Sequence, residues 1–251
     1  TRAGVGSVEN ESEFPMPKNL RIALRIVLLL SGALVMQAEE PTSNPAEAQA
    51  ETAVRALGIS ITRDESLPGR PVIAASLDSH VRHFEDADVA SLKAFKSLRK
   101  LSLPFANITD AGLKELADLK DLQELDLSST QRISSKGLES IRGLRHLRSL
   151  NLSNSFANVS PGLRDLAALQ ELEVLELAMN GTGGPTDEVL KELATIKTLR
   201  KLNANCTVLT DTGLQALAAL TNLESLDLNS MPRITDEGLK SLRGLRNLQH
   251  L

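Results

Sequence analysis

The sequence contains no tyrosine and no tryptophan, and aromatic residues make up only 2% of its 251 residues. Energetic hot spots of protein interfaces are enriched in tyrosine, tryptophan and arginine. Single-stranded nucleic acids are bound largely by stacking of bases on aromatic rings. The shortage of rings therefore counts against a tight interface anchored by aromatic side chains and against a single-strand binding surface.

Cysteine and excess positive charge are missing as well. Cys206 is the only cysteine, so no disulfide can form within the chain, and no histidine or cluster of cations adjoins it to make a reactive thiol. The formal net charge is -4 and the isoelectric point is about 5.7. Because nucleic-acid binding depends on a basic patch, the sequence predicts no nucleic-acid partner.

Motifs for catalysis and metal binding are absent too. The sequence has no Gly-x-Ser-x-Gly, no His-Glu-x-x-His and no glycine-rich phosphate loop in a strand-to-helix context. His80 and His83 lie near acidic residues, but they offer only one clear pair of ligands, fewer than a zinc site needs. We therefore predict a protein that is not an enzyme and that holds no cofactor and no metal.

A short phrase, Ile/Leu-Thr-Asp-x-Gly-Leu, recurs along the last two-thirds of the chain. It begins at Ile108, Leu209 and Ile234, and a weaker copy begins at Ile133. Each copy precedes a Leu-x-x-Leu-x-Leu segment, and the second leucine of that segment returns every 24 to 27 residues. A period of this size indicates a solenoid. The recurring leucines are Leu101, Leu125, Leu150, Leu175, Leu202, Leu226 and Leu251, and Ala75 takes the same place in a degenerate earlier copy.

The spacing of the leucines predicts one strand and one short helix in each unit. Leu125 and Leu127 are two residues apart and share one face of a strand, whereas Leu113, Leu116 and Leu119 are three apart and suit one stripe of a helix. The threonine of the phrase is a good N-cap, and the aspartate is favoured in the first helical turn by the helix dipole. One unit cannot bury both apolar faces alone, so the units must stack around a shared core.

These features resemble the leucine-rich repeat superfamily over roughly residues 72–251. The phrase is similar to the cysteine-containing and ribonuclease-inhibitor-type subclasses, and above all to secreted bacterial proteins built from short Thr-Asp-x-Gly-Leu repeats. Those proteins often begin with a helix and two strands, matched here by residues 53–58, 61–64 and 71–73. The resemblance implies an α/β solenoid with a curved parallel sheet on the concave side and short helices on the convex side.

Residues 16–38 are typical of a secretory signal peptide. Lys18, Arg21 and Arg25 precede an apolar stretch at residues 26–36, which is too short for a membrane span of about 20 residues. We expect cleavage after Ala38 and a secreted or periplasmic protein with no stable membrane span. An uncleaved N-terminal segment that anchors the protein in a membrane is one alternative, and a buried helix of a larger domain is another.

The remaining boundaries follow from composition. Residues 1–15 lie upstream of the signal and are left out of the fold, and residues 39–51 have the composition of a solvated linker. A helix is predicted near residues 48–57, ended by Gly58, and an N-terminal cap at 52–71 is expected to cover the first repeat. The repeats at 72–251 stop without a cap, so we expect an array that is truncated at its C-terminal end.

Polar residues alternate with the strand leucines and are therefore expected on the concave side. Parallel sheets are usually covered on both faces, so this alternation predicts that the concave face meets solvent or a partner. Its central row alternates acids with amides, roughly 10 Å from acid to acid, which does not supply a calcium site. The candidate partner-binding residues are Glu124, Asp126, Asn151, Glu176, Lys201, Asn203, Asn205, Asp227 and Asn229.

The sequence alone leaves several functions open. The leading hypothesis is a monomeric, non-catalytic scaffold that binds a protein partner on its concave face. The acidic row is then either a binding strip for a basic segment or simply a solvated polar face. One alternative is an intracellular adaptor that resembles the substrate-recognition repeats of ubiquitin-ligase subunits. Another is an accessory repeat region of a longer enzyme.

Overall fold

The computed structural model describes residues 44–78, 80, 83–155, 160–178, 186–205 and 209–251. The predicted signal peptide, the segment before it and Cys206 lie outside these ranges. Eight strands form one sheet in the order of the chain. They are β1 (Ile59–Arg63), β2 (Val72–Leu77), β3 (Lys100–Ser102), β4 (Glu124–Asp126), β5 (Ser149–Asn151), β6 (Val174–Glu176), β7 (Lys201–Asn203) and β8 (Ser225–Asp227).

A helical segment precedes or separates most of these strands, which confirms the predicted α/β solenoid. The α-helices are α1 (Pro45–Ala56), α2 (Asp86–Leu92), α3 (Asp110–Leu116), α4 (Ser135–Ser140), α5 (Asp187–Leu193), α6 (Asp211–Leu217) and α7 (Asp236–Ser241). Short 3-10 segments lie at Ile141–Gly143, Ser160–Ala168 and Leu242–Gly244. The sequence predicted a short helix in every unit, and the unit after β5 has a 3-10 segment in that place.

The register of the parallel strands is the one that the leucine spacing predicts. Leu101 of β3 pairs with Leu125 of β4, and Leu175 of β6 lies between Leu150 and Leu202 in the same row. These leucines are at most 2% exposed. A slip of one residue would turn every one of them toward solvent, so the burial of the row fixes the register.

The N-terminal cap is a helix packed beside an antiparallel hairpin of β1 and β2. Its helix begins at Pro45, earlier than predicted, because Asn44 caps the first turn with a 3.0 Å bond to the Ala46 amide and proline suits the first helical position. The last part of the predicted linker is therefore helical. Gly58 follows the helix with φ of 79°, as its predicted role requires.

Buried and partly buried ion contacts tie this cap together. The Oε1 atom of Glu47 accepts a 2.6 Å hydrogen bond from the buried amide of Val72 at the start of β2. Arg63 of β1 reaches back to Glu51 of α1 at 2.5 Å, and its guanidinium is the largest cause that lowers the pKa of Glu51. The helix is thus fastened to both strands that begin the sheet.

The threonine of the recurring phrase caps its own helix, as predicted, but the aspartate does more than favour its own first turn. Asp187 reaches the next unit, where its Oδ1 accepts from the Thr210 amide at 3.0 Å and its Oδ2 accepts from the Thr210 hydroxyl at 2.5 Å. We call this contact between successive units the aspartate clamp. The clamps described are Asp86 to Thr109, Asp110 to Ser134, Asp187 to Thr210 and Asp211 to Thr235.

The glycine of the phrase makes room for the clamp of the preceding unit. A Cβ atom added at Gly213 would lie 2.5 Å from Oδ1 of Asp187, which is closer than real Cβ contacts. In the other clamped units, the Oδ1 atom of the preceding aspartate faces Gly112, Gly137 and Gly238 in the same way. Glycine within a helix costs about 1 kcal/mol relative to alanine, so its presence here reflects the space that the aspartate needs.

The buried turn after β4 holds a second link between units. The Thr130 amide donates to the Ser155 hydroxyl at 3.1 Å, and that hydroxyl donates to the Leu127 carbonyl at 2.7 Å. Both side chains are fully buried, so small polar residues at this position satisfy backbone groups of the buried turn. At the equivalent position of other units, Ala106 is buried and Met231 packs against the core.

The core leucine row makes a direct prediction about stability. Leu175 is fully buried between Leu150 and Leu202, so Leu175→Ala should lower the free energy of unfolding by about 2–5 kcal/mol. Urea denaturation measures the loss. The neighbouring Val174→Ala, at a half-buried concave position, is the control and should cost much less. Equal losses for the two variants would contradict the register.

The aspartate clamp predicts a thermodynamic coupling between Asp187 and Gly213. Asp187→Ala should cost about 2–3 kcal/mol, because two hydrogen bonds to a charged acceptor are lost. Gly213→Ala should destabilise the wild-type chain, since the added methyl group meets the carboxylate. In the Asp187→Ala background the same change should cost at least about 1 kcal/mol less, because the helix then gains alanine without the clash.

Urea unfolding of the two single variants and the double variant measures this coupling. Gly244→Ala is the matched control, since a Cβ atom added at Gly244 would meet no neighbouring atom within 4 Å. Additive effects of Asp187→Ala and Gly213→Ala would show that the two residues do not share one constraint.

Candidate functional site: the concave face

The residues between the core leucines form a continuous polar surface on the open side of the sheet. Strand pairing places Asp126 directly beside Asn151, and Asn151 beside Glu176. We call this central row the polar column. Its members, in strand order, are Ser102, Asp126, Asn151, Glu176, Asn203 and Asp227. All candidate residues taken from the sequence lie on or next to this column.

A shallow groove of about 450 Å³ runs over the first six strands of this face. Its floor near the N-terminal cap is made of small side chains, which leave the space open. The sequence pattern did not predict that the hairpin of β1 and β2 contributes to this surface. The small residues that the cap and β3 contribute are Ser60, Thr62, Ala74, Ser76 and Ser102.

Most column residues also hold the backbone turn that follows their strand. The Oδ1 atom of Asp126 accepts from the Ser128 amide at 2.9 Å, and Asp227 does the same for Asn229 at 2.9 Å. The asparagines repeat the contact, with Asn151 accepting from Ser153 at 3.0 Å. These side-chain to backbone turns explain why the column is rich in aspartate and asparagine. One oxygen of Asp126 and one of Asp227 are therefore occupied by the fold.

The charges of the face are mostly negative once its internal ion pairs are considered. Lys100 lies 2.6 Å from Glu124, so these two neutralise each other. Within the described residues, Asp126, Glu176 and Asp227 take part in no salt bridge. Lys201 is exposed and acts on Glu176 only through its field. The polar column thus carries three carboxylates without a cationic partner in contact.

Glu176 is the member of the column whose ionisation is most disturbed. Burial raises the pKa of its carboxyl, a hydrogen bond from Asn203 opposes this change, and the negative charge of Asp227 raises the pKa further. A carboxyl with these surroundings is less stable as an anion than it is in water. A cation that approached the column would remove part of this cost.

The rim at the carboxyl ends of the strands contains residues with left-handed backbone. Ser129, Asn154 and Ser230 have φ between 58° and 60°, and Phe105 has φ of 60° at the equivalent position. Small polar residues fit this conformation far better than a bulky side chain does. Phe105 is also 48% exposed, so among the described residues the rim presents an aromatic side chain to solvent. The composition of the chain gave no indication of this ring's exposure.

Other clusters are paired internally. Charges of opposite sign are paired along the edge at the amino ends of the strands. Arg148 contacts Glu171 at 3.1 Å, and Arg200 contacts Glu224. His80 lies 2.8 Å from Asp78 in a turn. In the part of the chain that the structure describes, no three histidine, cysteine, aspartate or glutamate side chains are arranged to hold a metal ion.

A parallel sheet that gains one strand with every unit of about 25 residues, with a leucine row inside and short helices opposite, defines a leucine-rich repeat protein. The chain belongs to this family. The family model described as "Leucine-rich repeat region" matches residues 76–251. The finer subclass that the phrase suggested stays a prediction.

Solved structures of internalins are similar to the chain. An internalin (inlF) from Listeria monocytogenes str. 4b F2365 aligns with 65% of this chain and 43% of its own, at 26% identity and a TM-score of 0.50. The chain therefore spans less than half the length of that protein. An internalin C2 (inlC2) of the same organism aligns with 83% of this chain and 82% of its own, at 23% identity and a TM-score of 0.54, which shows the fold alone. A comparison with curated proteins found no match.

The raised pKa of Glu176 predicts a pH-dependent effect on stability. The folded state binds this proton more tightly than the unfolded state, so ionisation at pH 7 opposes folding. Glu176→Gln should therefore raise the free energy of unfolding at pH 7. The gain should shrink as pH falls through the raised pKa and vanish below the ordinary value of 4.5.

Urea unfolding of wild type and variant at several pH values between 4 and 7 measures this difference. The exposed Glu188 of α5 provides the control, since Glu188→Gln makes the same chemical change on the convex side. A gain for Glu176→Gln that stayed constant over the whole pH range would mean that burial does not act on the carboxyl.

Proposed function

We propose that the protein is a non-catalytic scaffold that binds a protein partner on its concave face. The observation that carries the proposal is the open sheet face with its polar column, in which three carboxylates contact no cation of the described part of the chain. Membership of the leucine-rich repeat family supports a scaffold of this kind. An exposed parallel sheet is uncommon, because both faces of such sheets are usually covered.

The shape of the surface favours a protein over a small molecule. Pockets for small molecules are enclosed enough to bury most of the ligand. The groove here is shallow and crosses six strands, with side chains from Ser60 on β1 to Glu176 on β6 along its wall and floor. Strands about 4.8 Å apart give this surface a length of roughly 24 Å, which suits a polypeptide partner.

We also propose that the protein acts outside the cytoplasm. The support is the basic and apolar pattern of residues 16–38, which lies outside the described residues. In the described part of the chain, every helix falls short of the length and apolarity that a membrane span requires. Sequencing the N-terminus of the mature protein tests this proposal, and a start at Glu39 is the expected result.

Neutralising the column should weaken partner binding strongly without damaging the fold. The variant Asp126→Asn/Glu176→Gln/Asp227→Asn removes three charges and keeps the Oδ1 acceptors that hold the turns at Ser128 and Asn229. A partner captured from culture medium on the immobilised protein and identified by mass spectrometry should bind this variant at least about tenfold more weakly. Surface plasmon resonance with the purified partner gives the affinities.

The control carries the same charge change on the convex helices. Glu139→Gln/Glu188→Gln/Glu237→Gln alters three exposed glutamates and should leave the affinity unchanged. Circular dichroism of both triple variants checks that the array is folded. Partner binding that survives neutralisation of the column would exclude this face as the site.

A further inference from the structure

Phe105 has two properties that both cost free energy in the isolated chain. Its backbone is left-handed, with φ of 60°, which is unfavourable for a bulky side chain. Its ring is 48% exposed, although the other phenylalanines described, Phe84 and Phe95, are at most 1% exposed. Neither core packing nor the backbone conformation therefore explains a phenylalanine at this position. Residues held in strained conformations of this kind cluster at binding sites.

Phe105 lies at the carboxyl-end rim of the sheet, after a strand whose residues line the groove. Phe105 follows β3 by three residues, and its amide donates to the Ser128 carbonyl at 2.9 Å, after β4. On the same two strands, the Ser102 hydroxyl donates to Oδ2 of Asp126 at 3.2 Å, and both residues line the groove. An exposed apolar residue thus follows the strand whose Ser102 contacts a carboxylate of the groove.

The charges of the groove restrict what can occupy it. Asp126 and Glu176 line it without a salt-bridge partner among the described residues, and the lysine that lines it, Lys100, is already paired with Glu124. The two unpaired carboxylates are two strands apart, which is roughly 10 Å. A segment bound in the groove must therefore bring positive charge. An acidic or neutral polar segment would leave the two carboxylates without a matching charge.

We propose, resting on the proposed function, that the groove binds an extended protein segment that carries an apolar side chain next to lysine or arginine. Phe105 contacts the apolar side chain at the rim, and Asp126 and Glu176 contact the cations on the floor. The small side chains of Ser60, Thr62 and neighbouring residues leave space for the backbone of the segment. A length of roughly 24 Å corresponds to about seven extended residues.

Two fluorescein-labelled octapeptides with equal charge serve as defined probes. One alternates arginine with leucine, and the other alternates arginine with serine. Fluorescence anisotropy should show that the wild-type protein binds the arginine–leucine peptide about tenfold more tightly. Phe105→Asn should remove this preference and leave the affinity for the arginine–serine peptide unchanged. Asp126→Asn/Glu176→Gln should weaken the binding of both peptides about tenfold.

Thermal unfolding separates a binding role from a structural one. Phe105→Asn should melt at the wild-type temperature or above it, because asparagine accepts the left-handed conformation. Leu67→Asn is the control for loss of an exposed apolar side chain, since Leu67 is 40% exposed in the turn between β1 and β2. This variant should keep the tenfold preference.

Any one of three results for the relative affinities and the melting temperature would overturn the inference, and so would a fourth, which is given last. They are equal affinity of the wild type for the two peptides, an unchanged preference in Phe105→Asn, and a lower melting temperature of that variant. Failure of the wild type to bind the arginine–leucine peptide would overturn it as well. The proposed function would fail separately, through a captured partner whose binding survives neutralisation of the column.

Discussion

Every described clamp in this array lets the helix of one unit begin on a carboxylate that belongs to the unit before it. The aspartate accepts from the backbone and the hydroxyl of the next N-cap residue, as Asp187 does for Thr210. Charge-assisted bonds of this kind are shorter and stronger than neutral ones. Because the bond joins neighbouring units, it fixes their offset on the convex side. The leucine row fixes the same offset in the core, so the strands meet in register.

The concave surface depends on that offset. The polar column is continuous only because Asp126, Asn151 and Glu176 fall beside one another on successive strands. The short acids and amides of the column then hold the turns after their strands. Glu176 is longer, lies partly buried between Asn151 and Asn203, and has a raised pKa. The proposed binding surface thus combines residues that hold the turns of the fold with a few that do not, and Phe105 and Glu176 are examples of the second kind.

The leucine period was enough to predict the strands, their register and the residues that face the concave side, since burial leaves few alternatives to such a pattern. The aspartate clamp was missed because its two ends lie more than twenty residues apart, and reasoning within one unit could not connect them. A signal was present, because a glycine inside a helix needs a reason. The turns that follow the column strands could also be predicted from the sequence, because in these turns an aspartate or asparagine precedes a serine or asparagine by two residues. The exposure of Phe105 could not be predicted, since it depends on three-dimensional packing at the rim.

The clamp also sets a rule for the order in which units can follow one another. A unit that carries the aspartate has to be followed by one with glycine three residues after the N-cap, as Asp187 is followed by Gly213. Ser160 takes the aspartate position in its own unit, and the next unit has Val189 in the glycine position. Tandem duplication of an aspartate–glycine unit satisfies the rule automatically. Insertion of a valine unit after an aspartate unit violates it, so the array can grow or shrink by recombination only at compatible junctions.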